Sequence, residues 1–280
     1  MIEAANVTFR YVDPDTEQEE ALSPPALRGV NLRIAEGEFV ALLGRNGSGK
    51  SSLARLLNAI ELPTEGEVRI DGLRTADKGT SALIRRAVQI VFQNPENQQV
   101  GLTVGEDIAF GLSNIGWPQA DIAARAQWAA DLAGLAADPD RLVSALSGGE
   151  KQKLALASVL ALSPRCLVLD ESTSMLDPAA RRQFVESLQA ARSRERFTLI
   201  YITHHVEEVL DADRWILFDA GQIVADDTPE RLTGQQELLE ACGLELPFSH
   251  SLAYWLRQNG VPASSKLHLE ELRNLLCASS

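Results

Sequence analysis

The sequence predicts an α/β fold with a mainly parallel central sheet, and three observations carry that expectation. Short apolar runs at 38–43, 166–169, 197–203 and 215–218 have the near-continuous hydrophobicity of strands buried on both faces. Helix-patterned segments follow most of them, and this alternation implies a parallel sheet covered by helices. A block at 103–162 is helical in character and free of strand signals, which reads as an insert.

The elements follow in order. Val7, Phe9 and Tyr11 alternate with polar residues, as in a half-buried strand. Residues 13–20 carry five acids and a proline and read as a solvated loop. Strands are expected at 30–34 and 38–43, a helix at 50–59, and strands at 68–70 and 88–92. Within the insert, Ala and Leu recur at helical spacing through 122–135 and 153–162. Thr103-x-x-Glu106 and Ser147-x-x-Glu150 match the capping box that opens a helix. Asp177-Pro178 supplies a cap and a proline at the first helical position. Thr228-Pro229 starts a further helix. Leu252, Trp255 and Leu256 have helical spacing, as do Leu269, Leu272, Leu275 and Leu276. Trp255 and Cys242 are expected in the core. The expected division is a main domain at 1–228, with a helical subdomain at about 94–162, and a helical C-terminal extension at 229–280.

Composition narrows the partners. The formal net charge is −13, which repels phosphate backbones, so no nucleic-acid partner is expected. Cys166, Cys242 and Cys277 cannot all pair and have no metal-ligand spacing, which suits a reducing compartment. No run of about 18 apolar residues occurs, and no signal peptide is expected from the first residues. Work at a membrane would require docking onto other proteins.

Two motifs carry chemistry. Gly44-Arg45-Asn46-Gly47-Ser48-Gly49-Lys50-Ser51 fits G-x-x-x-x-G-K-[ST] between an apolar strand and a helix. Its glycines let backbone N–H groups converge on phosphate oxygens, and the helix N-terminus adds partial positive charge. Lys50 should reach the β- and γ-phosphates, and the Ser51 hydroxyl should ligate Mg²⁺. Leu167-Val168-Leu169-Asp170-Glu171 is an apolar strand ending in two carboxylates. Asp170 is expected to hold Mg²⁺ through its waters, and Glu171 to polarise an attacking water as general base. These two motifs imply a nucleoside triphosphatase and nothing finer.

Leu146-Ser147-Gly148-Gly149-Glu150 resembles the signature of ATP-binding cassette (ABC) proteins and precedes the acidic strand, as in that family. Gln93 after an apolar strand, Ser174-Met175-Leu176-Asp177, and Thr203-His204 after another strand resemble its Q-, D- and H-loops. The resemblance covers residues 1 to about 228. It implies a P-loop NTPase fold of the ABC type, with an antiparallel β subdomain, a helical subdomain and a short helical C-terminal extension. It also implies that Tyr11 stacks on adenine, that Gly44–Ser52 (numbers 44–52) bind ATP, and that Gln93 senses the metal. His204 would hold the γ-phosphate or the attacking water. Two such subunits would face head to tail, with Ser147, Gly148, Gly149 and Glu150 of one meeting ATP on the other and Asp177 acting across the interface.

Phe92-Gln93-Asn94-Pro95-Glu96-Asn97-Gln98 and Ile202-Thr203-His204-His205 are similar to the ATPases of energy-coupling factor transporters. These import vitamins or, in a related branch, cobalt or nickel ions. His204-His205 and Met175-Leu176-Asp177-Pro178 look like the first of the two ATPase components. The resemblance implies a second ABC ATPase, a transmembrane coupling protein and a substrate-binding membrane protein as partners, at the cytoplasmic face of the membrane. A homodimeric cobalt or nickel import motor and a soluble ABC scaffold are the alternatives. Glu150 stands where glutamine is usual, and a carboxylate beside a triphosphate implies weaker ATP affinity there. Ser172, His205 and Ser52 also depart from the common residues.

Overall fold

A computed structural model describes residues 1–11, 24–135 and 138–260. The acidic loop at 13–20 and the Leu269–Leu276 stripe (numbers 269–276) lie outside the described residues, as does Cys277.

The chain opens with β1 (Ile2–Phe9), β2 (Leu27–Ile34) and β3 (Phe39–Leu43). Helix α1 (Lys50–Leu57) follows, then β4 (Glu65–Ile70), β5 (Leu73–Arg74), α2 (Ser81–Ala87) and β6 (Val88–Val91). The helical block comprises α3 (Val104–Asn114), α4 (Gln119–Leu132) and α5 (Gly148–Ala161). Next come β7 (Cys166–Asp170), α6 (Pro178–Arg194), β8 (Thr198–Thr203), β9 (Arg214–Asp219) and β10 (Gln222–Asp227). Helices α7 (Pro229–Leu232), α8 (Gln236–Ala241) and α9 (Phe248–Gln258) complete the described elements.

The larger sheet has the order β10-β9-β3-β8-β7-β6 and is parallel except for β10, which returns antiparallel on β9. Its middle strands are buried on both faces. In β3, Phe39, Ala41 and Leu43 point into one core, while Val40 and Leu42 point into another. β8 divides the same way, with Leu199 and Tyr201 on one face and Ile200 and Ile202 on the other. That two-sided burial is why the runs lack alternation. The second sheet, β2-β1-β4-β5, is antiparallel. Its apolar face and the larger sheet enclose Leu53, Ala54, Leu56 and Leu57 of α1. β1 alternates less simply than its sequence: the register shifts between Ala4 and Val7, where Asn6 has φ +49°. Tyr11 lies beyond its end.

Both expected capping boxes form. The Thr103 and Ser147 hydroxyls accept the backbone N–H of Glu106 and Glu150, whose carboxylates accept the cap N–H in return. Asp177 caps α6 by accepting from the N–H groups of Ala179 and Ala180. Leu232, Leu239, Cys242 and Leu244, all from the extension, join the core on the α6 side of the sheet. Cys242 is therefore core, as expected. Trp255 is not: Ala253 and Leu256 turn inward, and Trp255 is 59% exposed.

Candidate functional site

Four of the parallel strands deliver chemical groups at their C-terminal edge. This is where open α/β sheets bind ligands. β3 runs into the glycine-rich turn, β6 into Gln93, β7 into Asp170 and Glu171, and β8 into His204.

The phosphate loop is shaped by contacts that exclude side chains. Gly44 has φ +142°, and a Cβ there would lie 2.1 Å from the Phe218 carbonyl oxygen. Gly49 has φ +106°, and its Cβ would meet the Ala26 carbonyl at 2.6 Å. The Gly221 N–H, from the turn between β9 and β10, donates to the Ser48 carbonyl at 3.0 Å. Lys50 is buried and folds back on its own loop, donating to the carbonyls of Gly44 and Arg45, each at 2.8 Å. Burial pushes its ammonium below the ordinary range, against the pull of Glu171 and Asp170.

Ser51 Oγ donates to Asp170 Oδ1 at 2.8 Å. Burial pushes the Asp170 carboxyl up, and the Ser51 hydrogen bond opposes that shift. A hydroxyl and a buried carboxylate beside a phosphate loop form a hard-oxygen donor pair, which fits Mg²⁺ with waters and phosphate oxygens completing its shell. Glu171 takes the left-handed conformation, φ +49°, and its N–H donates to Ile202 of β8 at 3.0 Å. Gln93 Nε2 donates to Glu171 Oε2 at 3.4 Å and to Ser174 Oγ at 3.1 Å. A cavity of about 430 Å³ brings together Tyr11, Asn46, Gly47, Gly49, Lys50, Ser51, Ser52, Gln93, Asp170 and Glu171. Tyr11 is 46% exposed at its rim, edge-on to Phe9 and with its hydroxyl 3.0 Å from Ser52 Oγ. A larger cavity of about 670 Å³ between α6 and β8 contains none of these groups, so chemistry rather than size selects the site.

His204, Asp177 and Ser147–Glu150 (numbers 147–150) do not line that cavity. His204 Nδ1 is buried without a hydrogen-bond partner, and its ring lies 4.1 Å from that of His205. Ser147 and Gly148 are exposed. A Cβ on Gly148 would meet nothing within 4 Å among the described residues, so none of them requires glycine there.

Sequence reasoning missed three contributors. Arg141 donates to both Glu150 oxygens, at 2.6 and 3.3 Å. With the Ser147 N–H as the largest influence and Arg141 next, the Glu150 carboxyl is held at about 2. Its charge is therefore paired locally. Glu208 accepts from Thr173 and Thr203 with its side chain buried. Arg45 lies against Gly243 of the extension, where an added Cβ would fall 2.6 Å from Arg45 Cγ. The first and third contacts join residues with no fixed spacing in sequence. Glu208 carried one faint signal, its place one helical turn after His204.

The family model described as ABC transporter matches residues 27–174. The chain is 41% identical to the energy-coupling factor transporter ATP-binding protein EcfA1 of Caldanaerobacter subterraneus subsp. tengcongensis, over 99% of both chains. It is 44% identical to the cobalt import ATP-binding protein CbiO of Syntrophus aciditrophicus, over 93% of this chain and 90% of that one. Among solved structures it is similar to cbiO1 of Clostridium perfringens, part of the complex cbiONQ. The TM-score is 0.74 and the identity 29%, over 88% of this chain and 95% of that one. It is also similar to the ATP-binding cassette MJ0796 in a dimeric post-hydrolysis state bound to ADP and Pi. There the TM-score is 0.72 and the identity 29%, over 82% and 99% of the two chains.

Proposed function

This chain belongs to the ABC transporter family, among the energy-coupling factor and cobalt-import ATP-binding proteins, and from that membership we propose how its residues divide the work. It is an ATP-binding, ATP-hydrolysing subunit that powers a membrane importer. No helix among the described residues is long and apolar enough to cross a membrane, and its membrane partners supply the path.

The N–H groups of residues 44–52 bind the phosphates of ATP, Lys50 turns from its own carbonyls to the β- and γ-phosphates, and Tyr11 stacks on adenine. Ser51 and Asp170, with Gln93 beside them, hold Mg²⁺, which when bound neutralises charge on the phosphoryl oxygens. Glu171 takes a proton from the attacking water, and His204 orients that water or the γ-phosphate. Ser147, Gly148, Gly149 and Glu150 complete the site of a second ATPase subunit, with Asp177 at the same interface. The observation that carries this reading is the open space at Gly148 beside the exposed cap Ser147: a preformed helix N-terminus facing outward.

We place the chain at the cytoplasmic face of the membrane, beside a transmembrane coupling protein and a substrate-binding membrane protein. The second ATPase is a distinct partner, as in a two-component energy-coupling factor motor for vitamins or other micronutrients. A homodimer is the second reading, favoured by the presence of both halves of the composite site in one chain and by the cobalt-import relative. Glu171→Gln should bind ATP normally and lose turnover by about 10²- to 10⁴-fold. Retained hydrolysis sinks the general-base assignment. Membranes solubilised around the tagged full-length chain should yield either a second ABC ATPase or this chain alone beside the membrane proteins. Recovery with soluble partners only would defeat the transporter assembly.

A further inference from the structure

Glu208 is a buried carboxylate with no part in the nucleotide chemistry described above. It lies in the turn after β8, and its side chain is 2% exposed. Oε1 accepts from Thr173 Oγ1 at 2.7 Å, and Oε2 accepts from Thr203 Oγ1 at 2.8 Å. Arg181 Nε stands 3.4 Å from Oε1. Each partner belongs to a different functional segment. Thr203 directly precedes His204, and its hydroxyl also accepts the His205 N–H at 3.0 Å. Thr173 is two residues past Glu171, in a turn closed by the Ser174 N–H and hydroxyl on the Glu171 carbonyl. Arg181 is in the first turn of α6, its N–H bonded to the carbonyl of the cap residue Asp177.

An enclosed carboxylate is costly unless its oxygens are satisfied, and here both are. The partners are restrained in turn: Thr203 by the His205 N–H on its hydroxyl, Thr173 by the closed turn it lies in, and Arg181 by the first turn of its helix. We propose that Glu208 is a positioning residue that sets His204 against Glu171 and carries the setting on to Asp177. This rests on the roles given above to those three residues. The strained backbone of Glu171, φ +49°, is then fixed from two sides: by its own N–H on Ile202, and through Thr173 on Glu208. Motion of the turn bearing His204 is transmitted to the segment bearing Glu171 through one carboxylate.

Hydroxyl removal separates this role from simple packing. ATPase activity is measured on the full-length chain as purified with the partners that accompany it, alongside its melting temperature. Thr173→Val and Glu208→Gln should lower kcat by about ten- to hundredfold, while KM for ATP stays within about threefold. Thr173→Ser keeps the hydroxyl and should recover most of the kcat lost in Thr173→Val. Should Glu208→Gln fail to fold, the Thr173 pair carries the test alone. A Thr173→Val variant that melts lower yet keeps kcat within about twofold of the parent overturns the proposal. If Glu171→Gln is inactive in the same assay, the general base survives that failure. If Glu171→Gln keeps its turnover, the premise fails and the proposal falls with it.

Discussion

Arg141 Nη1 sits 2.6 Å from Glu150 Oε1, and this pairing changes the meaning of an acid in the signature segment. Alone, Glu150 would repel a triphosphate approaching the N-terminus of α5. Paired with Arg141 and bonded to Ser147, it has its charge offset locally at the N-terminus of α5.

Arg141→Ala should therefore unmask the carboxylate. We expect ATP affinity to fall about three- to tenfold, roughly 0.7–1.4 kcal/mol. Adding Glu150→Gln should restore it, since an amide also completes the capping box. Nucleotide titration of the three proteins checks this. Equal affinity for Arg141→Ala and the parent would mean that the pair does not shield ATP.

His205 gives the fold a pH dependence. Burial, and then the charge of Arg181 and the neighbouring His204, hold its imidazole below the ordinary value of 6.5. The folded chain resists a proton that the unfolded chain accepts. Stability is thus complete above pH 6.5 and declines as pH falls through the interval down to the lowered value. Urea unfolding of parent and His205→Asn between about pH 7.5 and about pH 5 should show the variant losing less stability on acidification. Parallel curves would reject the assignment.

Gly44→Ala should be the most damaging alanine in the phosphate loop. Its Cβ would sit 2.1 Å from a backbone oxygen that cannot swing aside, at φ +142°. Gly47→Ala meets only the conformational penalty, because the space there is open. The strain at a positive φ alone is about 1–3 kcal/mol, and Gly44→Ala adds the clash. Differential scanning fluorimetry should show a larger loss for Gly44→Ala than for Gly47→Ala, with ATP binding lost only in the former.

Local rules read well from the sequence. The capping boxes at Thr103 and Ser147, the proline after Asp177 and the phosphate loop depend on residues within a few positions of one another. What pairing at a distance decides was less legible. β2 begins at Leu27 rather than Val30 because Leu27 pairs with Phe9 of β1. β10 carries little strand signal in the sequence because it is an edge strand ending in two aspartates, exposed on alternate residues. Its one local cue was the Ala220-Gly221 turn, where both residues have positive φ. Helix α2 has only seven residues and buries only Ile84. Trp255 lies on a helix, as its spacing predicts, but on the exposed side, since Leu252 and Leu256 leave the phase of an apolar stripe loosely defined. In the site, every group on a strand end was visible in the motifs. The charge partners of Glu150 and the anchors of Glu208 were not, because they come from other elements.

The contact between Arg45 and Gly243 bears on how the protein can be cut. Every nucleotide-binding motif lies before residue 228, so trimming there would spare them all. Yet Leu232, Leu239, Cys242 and Leu244 are buried in the shared core, and Gly243 backs a residue of the phosphate loop itself. A shortened version meant to retain nucleotide chemistry must run at least through Leu244. One stopping at 228 would leave an apolar scar on the sheet and an unsupported loop at the catalytic edge.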